Sequence, residues 1–473
     1  MKKIAVLFLI MAVLPAVAGA KVKLPAILSD NMVLQREADV NLWGEAAPGE
    51  KVNIVTSWNK KRYRTVTDDE GKWSVKVSTP EAGGPYSVRI SDGETVVLDN
   101  ILIGDVWICA GQSNMEMPVI GFWGQPVNNS AETIVNSIND RNVRFATVER
   151  QTSDYRMDDC KTGWCVPSMA TTPSFSAIGY FFAKEVSEVL DIPIGVINVS
   201  WGSARMESFM TREYILKVED EKLYDRINRD KAIQKRPEMM YNGMLYPIHK
   251  YTAKGFLWNQ GAANKQDWRT YADLMVEMVH LWRDLWGDDS MPFYNVQVAP
   301  FAFGKPDNID MALIIEAQYE AVRRLENAYM VPMSDLGSGL CPHYAEKDVS
   351  GKRTAMTALV KTYGLESELI VDPPVMEKII YNGNVVSVYF SNDDYGLCPR
   401  YEPIAGFELA GEDRVFHPAE AKLNFKEKCV DVVCPEVARP VAVRYAFRNQ
   451  IRSNLTNTVG IPAYPFRSDR WDD

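Results

Sequence analysis

Histidine is scarce in this chain, with four among 473 residues. No Cys-x-x-Cys pair and no cluster of histidines occurs, which removes the usual sequence signs of a zinc site. Positive charge is in deficit too. Lys and Arg number 52 against 62 Asp and Glu, a formal net charge of −10. That balance argues against nucleic acid and against an anionic membrane surface as partners. Beyond residue 20 no apolar run is long enough to cross a bilayer, so no membrane anchor is expected. Internal repeats and low-complexity segments are absent as well, which leaves ordinary globular domains, two or three for this length.

What is present begins with "MKKIAVLFLIMAVLPAVAGA" over residues 1–20. Two lysines, a short apolar stretch and Ala18-Gly19-Ala20 have the form of a secretory signal with a small-residue cleavage site. No cysteine follows that site, so a lipoprotein anchor is not expected, and the expected location is periplasmic or secreted. Seven cysteines fit an oxidising compartment. Cys160 with Cys165, and Cys429 with Cys434, are each either a disulfide or two free buried thiols. The odd count leaves at least one thiol free or paired between chains. The string "GLCP" occurs twice, so Cys341 and Cys398 could bridge two parts of the chain or be unrelated.

Three compositional regions follow the signal. Residues 21–100 alternate short β-like runs with turn residues such as Asp69-Glu70-Gly71 and Ser91-Asp92-Gly93, which predicts an N-terminal sandwich-like β module. Residues 101–367 alternate strand-length apolar runs ("DVWICA", "NVRFATV", "IGVINVS", "KGFLWN", "PFYNVQVA", "AYMVPMS") with helical segments. In "DWRTYADLMVEMVHLWRDLWG" the residues Tyr271, Leu274, Met275, Met278, Trp282 and Leu285 share one helical face, and Gly287 marks the stop. Helices are also expected in "SFSAIGYFFAKEVSEVL", in "IDMALIIEAQYEAVRRLEN" and from about Asp348. This alternation predicts a mostly parallel sheet with helices on both faces. Residues 368–473 return to β-like runs and form a C-terminal β module.

In an open parallel sheet the functional crevice lies beyond the carboxyl ends of the strands. After "DVWICA" comes Gly111-Gln112-Ser113-Asn114. After "IGVINVS" comes Trp201-Gly202-Ser203, with Arg205 and Glu207 close behind. After "KGFLWN" comes Gln260-Gly261-Ala262-Ala263-Asn264, and after "AYMVPMS" a Gly/Pro-rich loop containing His343. These are parts for acyl transfer. A serine hydroxyl needs a base to take its proton. His280 lies within a periodic helix, His249 precedes a strand and so belongs at the other end of the sheet, and His417 lies in the C-terminal module. By elimination His343 is the base candidate, the alternative being a plain surface histidine. An oxyanion needs donors, and the Ser113 and Gly202 N–H groups and the Asn264 amide can supply them. Gly202 could instead only make a turn, and Asn264 only cap a helix.

Ser, Gly, Asn and His in that chain order resemble the SGNH hydrolases. "GQSNMEMP", starting at Gly111, is similar to the sialate O-acetylesterase family of carbohydrate esterases. So are "IGVINVSWGSARMESFM", "LYPIHKYTAKGFLWNQGAANKQDWRTY" and "SDLGSGLCPHYAEKDVSGKR". The resemblance covers essentially the whole chain after the signal. It implies an SGNH-type three-layer α/β/α catalytic domain flanked by the two β modules. It also implies Ser113 as nucleophile, His343 as base, and Ser113, Gly202 and Asn264 as oxyanion donors. No metal or cofactor is implied. Gln112, Arg205 and Gln260 are the candidates for substrate contact. On this reading Gly111 permits the sharp exit from the strand, and Gln112 and Asn114 fix the loop that presents Ser113.

Two positions depart from the family pattern. An aspartate that orients the imidazole usually stands two residues before the histidine; here it is Cys341. Where relatives tend to have Gly-Glu-Ser-Asn, this chain has Gly261-Ala262-Ala263-Asn264. Loss of the orienting acid in a serine hydrolase lowers turnover by about four orders of magnitude. The alternatives for an active site are a Ser-His dyad whose imidazole is held by a backbone carbonyl, or an orienting acid supplied by Asp335 or Asp348, both nearby in sequence. The function expected is removal of acetyl groups from O-acetylated sugars, of sialic acid or of plant polysaccharide. The alternative is a carbohydrate-binding protein whose SGNH site has degraded.

Overall fold

The computed structural model describes residues 22–365 and 370–472. Residues 1–20, read as an export signal, and the expected boundary at 367/368 lie outside the described residues. One strand organises the rest. Thr95–Gly111 is 17 residues long, and from Ile101 to Gly111 every position is buried. Its side chains alternate between two cores: Val106, Ile108 and Ala110 face one, Trp107 and Cys109 the other. A strand covered on both faces must read as a continuous apolar run rather than an alternating one, and "DVWICA" does.

Parallel to it on one side run Ile194–Ser200 and then Val143–Thr147. On the other side run Gly255–Asn259, Phe293–Val296 and Ala328–Val331. The short strand Trp164–Cys165 pairs antiparallel at one edge. The chain therefore enters the sheet at its centre, forms the outer strand Val143–Thr147, returns to Ile194–Ser200 beside the centre, and then builds outward on the other side. This arrangement opens a crevice at the carboxyl ends beside the first strand. Helices Ala177–Leu190 and Lys347–Lys361 bury their apolar residues in one core, and Trp268–Trp286 and Asp310–Arg323 in the other. The expected face of Trp268–Trp286 is the buried one, apart from Leu285, which is half-buried, and Gly287 ends the helix at φ +71°.

The N-terminal region differs from expectation in two ways. The boundary placed at 100/101 falls inside the strand Thr95–Gly111, whose first half pairs with Gly83–Ser91 and whose second half is the centre of the parallel sheet. The N-terminal core and one face of the central sheet are also continuous. Ser91-Asp92-Gly93 does turn a hairpin, but Asp69-Glu70-Gly71 carries the chain from one sheet to another: Arg62–Val66 pairs with Lys51–Thr56, and Lys72–Ser78 with Asp39–Glu45. The C-terminal region packs antiparallel strands around a core of its own, including Val388, Leu409, Val430, Val443 and Tyr445.

Candidate active site

The register of the central strands sets three loops side by side. Gly111 is paired with Ser200 on one neighbour and Asn259 on the other. The next residues, Gln112-Ser113, Trp201-Gly202 and Gln260-Gly261, therefore leave the sheet at one level. Gly111 makes the exit with φ +142°, and a Cβ there would lie 2.2 Å from the Asn259 carbonyl oxygen. Two hydrogen bonds hold this corner: Gln112 N–H to Asn259 O at 3.0 Å, and Trp201 N–H to Gly111 O at 3.1 Å. Ser113 then starts the one-turn helix Ser113–Glu116, whose first N–H groups have no partner within the helix.

The side chains flanking Ser113 fasten this corner. Gln112 Oε1 accepts from the N–H groups of Ala263 at 3.4 Å and Gly261 at 3.5 Å, tying the serine loop to the asparagine loop. Asn114 Nδ2 donates to Pro342 O at 3.0 Å, which brings the histidine loop alongside. Asn114 Oδ1 accepts from Lys347 Nζ at 2.6 Å. Lys347 is fully buried against the Tyr344 ring, and that burial holds its amine well below the usual lysine value. Gly202 stands next to Ser113, since a Cβ on Gly202 would be 3.5 Å from Ser113 Cβ. Its N–H donates to Glu116 Oε2 at 2.7 Å, while Glu116 Oε1 accepts from Arg150 Nε at 2.6 Å. Sequence reasoning did not single out this Glu116–Arg150 pair.

Asn264 is buried and its orientation is fully specified. Its Oδ1 accepts from Gln260 Nε2 at 2.7 Å and Met206 N–H at 3.2 Å, and its Nδ2 donates to Glu207 Oε2 at 2.9 Å. An amide nitrogen carries two hydrogens, so one remains for a further acceptor. Arg205 and Gln260, expected to touch substrate, lie inside the protein instead. Gln260 has no exposed surface, and Tyr271 Oη donates to its Oε1 at 3.1 Å. Arg205 is buried between Glu207 and Asp267, bonding the first through Nε at 3.1 Å and the second through Nη2 at 2.9 Å. Both serve the asparagine: Gln260 directly, Arg205 through Glu207. A position just after a strand end fixes nearness to the crevice, but depth is set by the helices packed above it.

A third acid lies in this group. Glu219 is buried, and neither carboxylate oxygen has a hydrogen-bond partner among the described residues. Burial, helped by the negative charge of Glu207, pushes its carboxyl up to about 8.

His343 occupies a half-buried position after the last parallel strand. Its Nδ1 is 2.5 Å from Gln125 Oε1, and Phe122 meets the imidazole edge-on with ring centroids 5.1 Å apart. Burial first, and the positive charge of Lys347 second, lower its pKa below the usual histidine value. Asp335 cannot orient it, being taken up bidentately by Arg353 at 2.8 and 2.9 Å. Ser113 Oγ and His343 share no hydrogen bond among the described residues; such bonds commonly form only with substrate in place. His249 bonds its own loop through Tyr246 O, away from the site, and His280 is half exposed on its helix. All seven cysteines are free thiols, so neither the 160/165 and 429/434 pairs nor Cys341 and Cys398 are bridged.

Residues 103–346 match the family model described as carbohydrate esterase, sialic acid-specific acetylesterase. The sialate O-acetylesterase of Pongo abelii is 24% identical over 401 residues, covering 76% of this chain and 75% of that protein. That of Mus musculus is 23% identical over 436 residues, with 79% of each covered. Among solved structures, a carbohydrate acetylesterase from Xanthomonas citri superposes with a TM-score of 0.86 at 30% identity, over 95% of this chain and all of that one. The matched segment contains the buried end of the central strand, the five strands that flank it in the parallel sheet and all four loops at the rim, and on that ground the chain belongs to the sialic acid-specific acetylesterase family of carbohydrate esterases and is a carboxylic ester hydrolase.

Proposed function

We propose that this protein removes acetyl groups from O-acetylated sugars by Ser-His nucleophilic catalysis at the rim just described. Ser113 Oγ attacks the acetyl carbonyl while His343 takes the hydroxyl proton. The oxyanion is met by the Ser113 N–H and the spare Asn264 Nδ2 hydrogen. Each such donor typically lowers the barrier by about 3 kcal/mol. Gly202 becomes a third donor if Glu116 turns away from it, and Arg150, already on the other carboxylate oxygen, is placed to keep that charge. His343 then gives its proton to the sugar oxygen, and water cleaves the acetyl-serine by the same path in reverse.

The observation that carries this reading is the Asn114–Pro342 hydrogen bond, for it joins the residue after Ser113 to the residue before His343. A sugar as the alcohol is supported by Trp123, which is 99% exposed at the tip of the turn beside His343. Aromatic faces of this kind stack on the apolar face of a sugar ring, and exposing one to water has no folding benefit. The reading of residues 1–20 as an export signal supports the periplasm or the cell exterior as the site of this activity. Sugar binding without turnover is not favoured, because the chain falls among ester hydrolases.

Hydrolysis of p-nitrophenyl acetate, and acetate release from a panel of acetylated sialic acids and plant polysaccharides, test the reading. Ser113→Ala and His343→Ala are each expected to lower kcat by about a thousandfold or more. Trp123→Ala is expected to raise KM on the glycans and leave the small ester unaffected. A serine variant as active as the parent would defeat the proposal.

A further inference from the structure

The missing acid has a structural substitute. We propose that Gln125 is the positioning residue for His343, doing with a neutral amide oxygen what an aspartate does elsewhere. This rests on the reading of Ser113 and His343 as the reacting pair. The contact is short, 2.5 Å between Gln125 Oε1 and His343 Nδ1. An amide oxygen only accepts, so Nδ1 must carry the proton. In the neutral ring that leaves the lone pair on Nε2, the nitrogen required to take the proton of Ser113.

The loop bearing Gln125 is built to keep it there. Gly121 and Gly124 both have positive φ, +88° and +69°, and a Cβ on Gly121 would lie 2.4 Å from Gln125 O. Gln125 N–H closes the turn on Phe122 O at 2.9 Å, and Phe122 packs against the imidazole. Beyond it, Asn128 N–H donates to Ala345 O at 2.9 Å, two residues after the histidine. The loop and the histidine segment are thus joined by backbone, ring and side chain. Three charged side chains of the region are engaged elsewhere. Asp335 is held by Arg353, Glu116 by Arg150 and Gly202, and Lys347 donates to Asn114.

The substitution has a chemical consequence. A carboxylate stabilises the imidazolium that forms during attack; an amide dipole fixes the tautomer but does little for the charge. The tautomer is therefore secured here without raising the basicity of the ring.

Two substitutions and two readouts test this. In the wild type, the 15N shifts of His343 are expected to show the Nδ1–H tautomer; in Gln125→Ala they move toward a mixture, and kcat falls about ten- to a hundredfold with KM little changed. Gln125→Glu restores a carboxylate of nearly the same shape, so kcat is retained and the acidic limb of the kcat/KM profile moves up by about one pH unit. Unchanged 15N shifts and kcat in the alanine variant overturn the proposal, as does an acidic limb that Gln125→Glu does not move. Ser113→Ala run alongside separates the two ideas: if it stays active, the catalytic reading fails, whereas the tautomer measurement needs no activity at all.

Discussion

Substituting Gly111 by alanine puts the geometry of the serine corner to a quantitative test. A methyl group at this position would lie 2.2 Å from the Asn259 carbonyl oxygen, 2.8 Å from its carbon and 3.1 Å from the Asn259 nitrogen. All three are backbone atoms of a buried central strand, so nothing flexible can give way. The residue also has φ +142°, which is costly with a side chain, by about 1–3 kcal/mol. Overpacking a close-packed interior adds about 1–3 kcal/mol more. The sum is about 4 kcal/mol, which for a chain of this size lowers Tm by roughly 5 °C. Differential scanning calorimetry with p-nitrophenyl acetate turnover reads both consequences, because any relaxation must move Ser113. Gly202→Ala is the control. Its methyl would meet only the end of the Glu116 side chain at 3.1 Å and Ser113 Cβ at 3.5 Å. It is expected to melt within a few degrees of wild type while losing activity. A Gly111→Ala protein that melts and turns over like the parent would refute the argument that the corner is sterically specified.

Two more outcomes follow from the buried charges. Arg205 compensates the buried Glu207, while Asp267 also pairs with Arg226 at 2.7 Å, so Arg205→Met leaves the Glu207 carboxylate uncompensated and is expected to destabilise by about 3–5 kcal/mol; a variant of normal Tm whose only defect is a raised KM would return Arg205 to the substrate-contact role. Glu219 has its folded pKa raised to about 8, so the native state holds that proton more tightly than the unfolded chain does. Its contribution to stability is full below the ordinary carboxylate range and is lost as pH rises through about 8. Wild type should therefore lose more Tm than Glu219→Gln between pH 6 and 9, and parallel melting curves would show that Glu219 is charged throughout.

The parallel sheet and its helices were legible because each element obeys a period that burial imposes. Strands covered on both faces read as unbroken apolar runs, and Trp268–Trp286 shows its buried stripe at helical spacing. The boundary at 100/101 was not legible. Composition changes there, but the backbone continues as one strand, and composition reports what covers a strand rather than where the strand ends. The same limit explains Arg205 and Gln260. Their place after strand ends put them near the crevice, yet Glu207, Asp267 and Tyr271 draw them inward, and those partners are fixed only by packing.

Gln125, the proposed positioning residue, shows how a side chain beside the candidate site can escape sequence reasoning and still leave a trace. It lies 218 positions from His343, in a turn with no recognisable chemical motif. Cys341, though, stands where an acceptor is needed, and a half-buried imidazole with Nδ1–H unpaired would bear part of the desolvation of a lost hydrogen bond. An acceptor therefore had to come from another segment. The strongest local hint was the Gly121-Phe122-Trp123-Gly124-Gln125 stretch, where two glycines frame aromatic residues eight positions after Ser113. Glycines at positive φ are spent where the chain must turn tightly, and a tight turn just beyond Ser113 stays close to the rim that Ser113 occupies. The absent aspartate and this turn are thus two ends of one constraint: the histidine loop carries no acid at position 341, and a neutral acceptor reaches the imidazole from the serine side.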